Sequence, residues 1–396
     1  LMVVQPTDGG YGGLGFDEPL AYAPTEAPGA LTLGKQNRSQ IYSVSVSPYV
    51  VHRFGTFGTG KAGVGLTETY EGSGVGGGQI PGAATTSSQH ALTGEATAQF
   101  QSGTDFGRLR DFAVIDAAET EGSGVLRHAH RAEADNWIGY VLNRELTPFV
   151  ELGAETISYS STPAYRVDDA IWQLGVVLTP GPNSRLTVGY GHHQGFNAFN
   201  ARGYYQMTAR TRLTVNYDTS LVTDLQQIED QLGLADADQF GQPLDATTGG
   251  PLLLGTGGLL GLQGNVYRNR RFGFTASTAL ERDTIALTIQ FEHETPVASA
   301  IPGAGVEQQG ESATASWLHQ LSERTNLTAG ASYSRTSLGT TTGGRERFLA
   351  ASAGISYLLS ETISTTARYT FFDRRSTFQD RSFDDNVVLL AVSKKF

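Results

Sequence analysis

The stretch Thr284-Ile-Ala-Leu-Thr-Ile-Gln-Phe-Glu292 decides the fold. Ile285, Leu287, Ile289 and Phe291 alternate with Thr284, Ala286, Thr288, Gln290 and Glu292, and a strict period of two belongs to an extended strand with one apolar and one polar face. The same alternation runs through Leu327, Ala329, Ala331 and Tyr333, through Leu349, Ala351, Ala353, Ile355 and Tyr357, and through Leu92, Gly94, Ala96, Ala98 and Phe100. Arg212 to Leu221 repeats it, with Leu213, Val215 and Tyr217 opposed to Thr214, Asn216 and Asp218. The opposite faces are mostly Thr, Ser, Gly, Gln and Glu. An all-β chain of two-faced strands is expected.

The connections between these strands sort by length. Asn143–Glu145, Pro180–Ser184, Ala209–Thr211, Glu281–Asp283, Ser322–Arg324 and Ser360–Glu361 are short, whereas Gly72–Ser88, Ser160–Arg166, Thr223–Gly264, Thr295–Gly310 and Leu338–Gly344 are longer and rich in Gly and Thr. Short turns on one rim and long loops on the other are the layout of a transmembrane antiparallel β-barrel, with periplasmic turns and extracellular loops. Marking strands from 42–54 to 384–396, with 185–192 and 200–208 among them, gives about 17 candidates. Single-chain bacterial barrels normally have an even number, so about 16 to 18 strands are expected. Residues 41–396 are assigned to the barrel. Residues 1–40 are read as an irregular arm, a plug or a first strand, because Pro6, Pro19, Pro24 and Pro28 interrupt any ladder there. The chain opens Leu1-Met2-Val3-Val4 without a basic segment or a long apolar core, so a mature or truncated chain is expected.

Composition fits this reading. The 396 residues include 49 glycines, about 12% against roughly 7% in average usage. There is no cysteine, which excludes disulfides, thiolate nucleophiles and cysteine-ligated metals. A mean hydropathy of -0.22 looks soluble, but a barrel needs only half of each strand to be apolar. With 39 acidic against 28 basic residues and a net charge of -11, nucleic acid is not an expected partner. No cofactor is expected.

The polar face carries the candidate site. Arg131, Glu133, Asp135, Glu151, Glu155, Arg202, Asp218, Arg271, Glu292 and Arg368 all fall opposite an apolar stripe, where a pore-lining role avoids the cost of about 2 to 4 kcal/mol for a basic residue at the bilayer midplane. A filled lumen with mutually paired charges is the alternative. Tyr49 and Tyr204 are expected to face inward, where they could stack on sugars; other aromatics near strand ends suit interfacial girdles. In loop 223–264, Leu225, Ile228 and Leu232 share one helical face after a Thr223-x-x-Gln226 capping box, so a short helix that narrows the pore is expected. His128 with His130, and His192 with His193, invite a metal site, but nothing fixes the spacing between the pairs and no metal is assigned. No G-x-S-x-G, H-E-x-x-H or phosphate-cradling loop between strand and helix is present, so an enzyme is not expected.

Two resemblances add to this. Counting back from Phe396 in twos gives Lys394, Val392, Leu390, Val388 and Asn386, a last amphipathic strand ending on an aromatic residue. It resembles the carboxyl-terminal signature of Gram-negative, porin-like outer-membrane proteins, with Lys394 departing from the pattern. The resemblance implies that Phe396 serves as an assembly signal read by the outer-membrane assembly machinery, and that the chain meets outer-membrane lipid and lipopolysaccharide. Tyr267–Phe272, Leu280-Glu281-Arg282-Asp283-Thr284 and Tyr369-Thr-Phe-Phe-Asp373, with Phe383 and Asn386, resemble barrels associated with exopolysaccharide synthesis and export. That resemblance implies surface-polysaccharide export proteins as partners. A homo-oligomer is a further expectation, since porins commonly pack as trimers. The functional expectation is a pore for hydrophilic solutes or polymer, and the alternative is a non-conducting anchor of a surface assembly.

Overall fold

The computed structural model describes residues 41–71, 89–223, 235–237, 243–245, 265–300, 305–339, 344–377 and 382–394. The arm at 1–40, Leu225, Ile228, Leu232 and Phe396 lie outside the described residues. The strands follow in chain order as β1 (Ile41–Val46), β2 (Tyr49–Arg53), β3 (Gly58–Glu71), β4 (Gln89–Ser102), β5 (Leu109–Gly122), β6 (Ala129–Tyr140), β7 (Leu146–Tyr159), β8 (Tyr165–Gly181), β9 (Ser184–His193) and β10 (Phe196–Gln206). They continue as β11 (Thr211–Thr223), β12 (Ala235–Ala237), β13 (Pro243–Asp245), β14 (Asn265–Ala279), β15 (Asp283–Ser299), β16 (Gln308–Ser322), β17 (Thr325–Leu338), β18 (Gly344–Leu358), β19 (Ile363–Ser376) and β20 (Phe383–Lys394). Two single turns of 3-10 helix, Thr104–Phe106 and Gly124–Leu126, lie in connections. The helix expected over residues 225–232 lies outside the described residues; the described part of loop 223–264 is the small hairpin β12–β13, and Thr223 closes β11.

Eighteen strands form one sheet in which every ladder is antiparallel. β1 and β2 both lie on β3 in a continuous register: Val46 faces Leu66, Tyr49 faces Gly63, and three positions separate these pairs on each side. Pro48 has no amide hydrogen to give to the ladder, which divides the strand there, although its carbonyl accepts the Val64 N–H at 3.1 Å. Eighteen strands with two sharing one position give seventeen positions across the sheet. Among the described residues, no ladder joins β20 to β1 or β2.

The rims differ as the loop lengths predict. The connections on one rim, such as 141–145, 207–210 and 359–362, span at most six residues, whereas the strand ends that flank 72–88, 224–264 and 300–307 lie on the other. One connection departs from the rule. β9 and β10, expected at 185–192 and 200–208, instead run to His193 and from Phe196, joined by Gln194 (φ +56) and Gly195 (φ +79). Two consecutive residues with positive φ make a turn matched to strand twist, so a tight hairpin stands on the long-loop rim.

Period-two side-chain alternation and the register assign each residue to a face. On the outer face, Leu66, Ile115, Leu152, Leu174 and Leu390 are exposed in mid-strand. They make an apolar band that has no aqueous rationale and suits acyl chains. Tyr140, Tyr205 and Tyr357 border the band on the short-turn side, and Tyr190, Phe199, Phe291, Tyr333 and Tyr369 border it on the long-loop side. Aromatic side chains with polar tips favour those two interfaces.

The sheet curls far enough for distant strands to meet at the long-loop end. The Gly124–Leu126 turn between β5 and β6 touches β14 and β15, and the Thr162 N–H in the β7–β8 connection donates to the Ser299 carbonyl at 3.0 Å.

Candidate functional site

The ten candidate charges share one face. Glu155 is opposite Glu133, and Glu133 opposite Asp116; Arg202 is opposite both Thr187 and Asn216; Asp218 is opposite Arg271, and Arg271 opposite Glu292. Arg131 and Asp135 flank Glu133 at steps of two, Glu151 flanks Glu155 at a step of four, and Arg368 lies on the face of Arg374, which pairs with Glu346 at 2.5 Å. That common face is the inner one, opposite the apolar band. Tyr49 and Tyr204 also lie on it. Their rings receive cations: Lys61 Nζ is 4.7 Å from the Tyr49 centroid, and the Arg212 guanidinium carbon is 4.3 Å from that of Tyr204.

The inner charges are not evenly mixed. β4 to β7 present Glu95, Asp116, Glu133, Asp135, Glu151 and Glu155 around Arg131. β10 to β19 present Arg202, Arg212, Arg271, Arg368 and Arg374, with Asp218, Glu292 and Glu346 among them. An acidic wall thus precedes one of mixed charge around the sheet, since Glu294 also lies on the inner face two residues from Glu292. Glu151, Arg202, Asp218, His193, Gln173 and Asn216 line a common inner cavity of about 400 Å³.

Two networks anchor this surface. In the first, Glu292 accepts hydrogen bonds from Asn269 Nδ2 at 2.6 Å and from Arg271 Nη2 and Nε at 3.0 and 3.3 Å. In the second, His193 Nε2 lies 3.4 Å from Glu133 Oε2 and 3.3 Å from Glu155 Oε2, and Arg131 Nη2 lies 3.3 Å from Glu133 Oε1. The Glu155 side chain is fully buried and its other oxygen accepts the Gln194 N–H. Ligand atoms of Glu133, Glu155 and His193 lie within 4.8 Å of one another, a spacing a divalent cation could bridge. A protonated imidazole between two carboxylates satisfies the same geometry without a metal. The other histidines are dispersed: His128 pairs with Glu121, and His192 with Asp169 and Asn197.

The mouth was not legible as a site. Val125 and Leu126 are buried with Ala91, Ala129, Ile157, Tyr159, Val167, Leu221, Val266 and Ala298, a cluster drawn from β4 to β15. The turn is tied down by the Ser160 N–H on the Val125 carbonyl at 3.0 Å and by the Ser160 hydroxyl on the Arg127 carbonyl. Beside it the low β9–β10 hairpin is pinned as well, since Gln194 Oε1 accepts the Leu221 N–H at 2.5 Å. Among the described residues the β5–β6 turn reaches inward; the narrowing expected from Leu225, Ile228 and Leu232 lies outside the described residues. The only sequence signal was two adjacent apolar residues, Val125 and Leu126, in a glycine-containing connection.

A curled antiparallel sheet with an apolar outer band, two aromatic borders and a charged interior is an outer-membrane β-barrel of bacteria. Residues 273–396, its carboxyl-terminal third, match the family model described as "Putative beta-barrel porin 2". No curated protein matches the chain. Among solved structures, a mutant of the ferric enterobactin receptor PfeA from Pseudomonas aeruginosa is similar at 10% identity and a TM-score of 0.43, over 85% of this chain and 66% of the receptor. The chain thus spans slightly less than two thirds of that receptor. The siderophore receptor PirA from Pseudomonas aeruginosa is similar at 11% identity and a TM-score of 0.40, over 90% of this chain and 70% of that one. A loop-deletion mutant of OmpT, an outer membrane protein of Vibrio cholerae, gives 9% identity and a TM-score of 0.29 over 89% and 99%.

Proposed function

We propose that the barrel is a pore for hydrophilic solutes, with its extracellular mouth narrowed by the Val125–Leu126 turn. The observation that carries this is the common inward face of ten charged residues, three of which line one 400 Å³ cavity with His193. Charged groups at that density hold water, and an acidic wall facing one of mixed charge orients a polar solute as it passes. The acidic wall favours cations along β4 to β7. The inward Tyr49 and Tyr204 rings, each beside a cation, offer stacking surfaces for sugar rings, which supports a link to export of surface polysaccharide. Swelling of proteoliposomes in isosmotic sugars tests both parts. Entry of monosaccharides supports the pore, and oligosaccharide entry that falls when Tyr204 is changed to Ala supports the polymer route; no swelling with any sugar refutes both.

The anchor reading is favoured by one observation, the apolar cluster across the mouth, which would stop ions if it never opened. Conductance that stays absent after the cluster is disrupted would select it.

A further inference from the structure

The outer face carries a row of like charges that the fold itself does not explain. Arg335 of β17 is directly opposite Arg347 of β18, and Arg347 is directly opposite Arg375 of β19. Arg345 lies one step further toward the long-loop rim on the same face, and all four side chains are exposed. Like charges directly opposite one another weaken a ladder unless something compensates them. Acidic neighbours compensate part. Arg375 holds Asp373 and Asp384, both at 2.8 Å, and Arg335 approaches Glu311 at 3.8 Å. Arg345 and Arg347 have no ion pair among the described residues. Together with Tyr333, Ser376, Thr377 and Glu346, whose carboxylate is neutralised by Arg374, the four arginines line a groove of about 410 Å³.

The level of this groove defines what it meets. Tyr333, in the aromatic border, precedes Arg335 by two residues, about 7 Å along the strand, so the arginines stand just beyond the acyl region at headgroup height. Guanidinium groups there match phosphate in charge and in forked hydrogen-bond geometry. We propose that Arg335, Arg345, Arg347 and Arg375 form a site for the phosphate groups of an outer-leaflet glycolipid, the phosphorylated lipid A part of lipopolysaccharide. This rests on reading the long-loop rim as extracellular. It does not require that the barrel conduct.

The test uses the full refolded chain in detergent, titrated with bisphosphoryl lipid A, with dephosphorylated lipid A and with inorganic phosphate, and read by native mass spectrometry. Wild type is expected to retain bisphosphoryl lipid A over the dephosphorylated form. The double variant Arg345→Gln/Arg347→Gln is expected to bind it about 30-fold more weakly, and Arg345→Lys/Arg347→Lys to recover part of the loss. Equal retention of the two lipid A forms, or a folded Gln variant that binds as wild type does, overturns the site. Inorganic phosphate that binds as tightly as lipid A with the same arginine dependence overturns the lipid as its occupant. Labelling of Thr377→Cys by an impermeant maleimide on intact cells reports the side of the rim separately. Unchanged conductance in the Gln variant keeps this result apart from the pore reading.

Discussion

Replacing Val125 and Leu126 together by Ser should free the mouth while leaving the barrel folded. These side chains are 3% and 4% exposed, so each has left its apolar surroundings almost no contact with water. Burying one such side chain contributes about 1.5 to 3 kcal/mol, and the pair therefore contributes about 3 to 6 kcal/mol to docking of the turn. At 1.4 kcal/mol per factor of ten, removing that term raises the undocked population by roughly two to four orders of magnitude. The β5–β6 and β6–β7 ladders are backbone pairings that neither substitution touches, which argues for loosening of this turn and against loss of the sheet. Recordings of single channels in planar bilayers, with heat-modifiability on gels as the fold control, should show larger or longer-lived open steps in the double variant. A heat-modifiable variant whose step size and open probability equal those of wild type would refute the reasoning.

Three further outcomes follow from the same geometry. Neutralising the acidic wall with Asp135→Asn and Glu151→Gln should move the reversal potential in a salt gradient toward lower cation preference; an unmoved potential would place the permeation path away from β6 and β7. Glu292→Ala removes the common acceptor of Asn269 and Arg271, which should cost about 1 to 3 kcal/mol in urea unfolding. A midpoint within error of wild type would mean that water replaces the carboxylate. Gly195→Ala puts a Cβ at φ +79 and 3.2 Å from Val167, so it should destabilise the β9–β10 hairpin by about 1 kcal/mol or more and raise hydrogen exchange there first.

The strands were legible because each outer face repeats every second residue, as in Thr284 to Glu292, and because lipid demands that repeat across the whole sheet. The inner face followed without further information: once Leu213, Val215 and Tyr217 point outward, Asp218 points inward, and the same holds for Glu292 and Arg271. Interruptions of the period were harder to read. Strand 42–54 is one run in sequence, yet Pro48 divides it into β1 and β2, since a missing amide hydrogen breaks a ladder without altering the side-chain pattern. Gln194-Gly195 lacks the Asn-Gly signature, and a tight hairpin there depends on Glu155 accepting the Gln194 amide from another strand. Val125 and Leu126 have no period at all. Their role comes from strands β14 and β15, more than a hundred residues away, curling back to meet them.

The pore claim is tested most directly by single-channel conductance of the refolded full chain in planar bilayers under a salt gradient. The account predicts discrete ohmic steps with a reversal potential on the cation side, which enlarge when Val125 and Leu126 become Ser. A heat-modifiable, folded barrel that passes no current in either form would contradict it and leave a non-conducting anchor in the outer membrane.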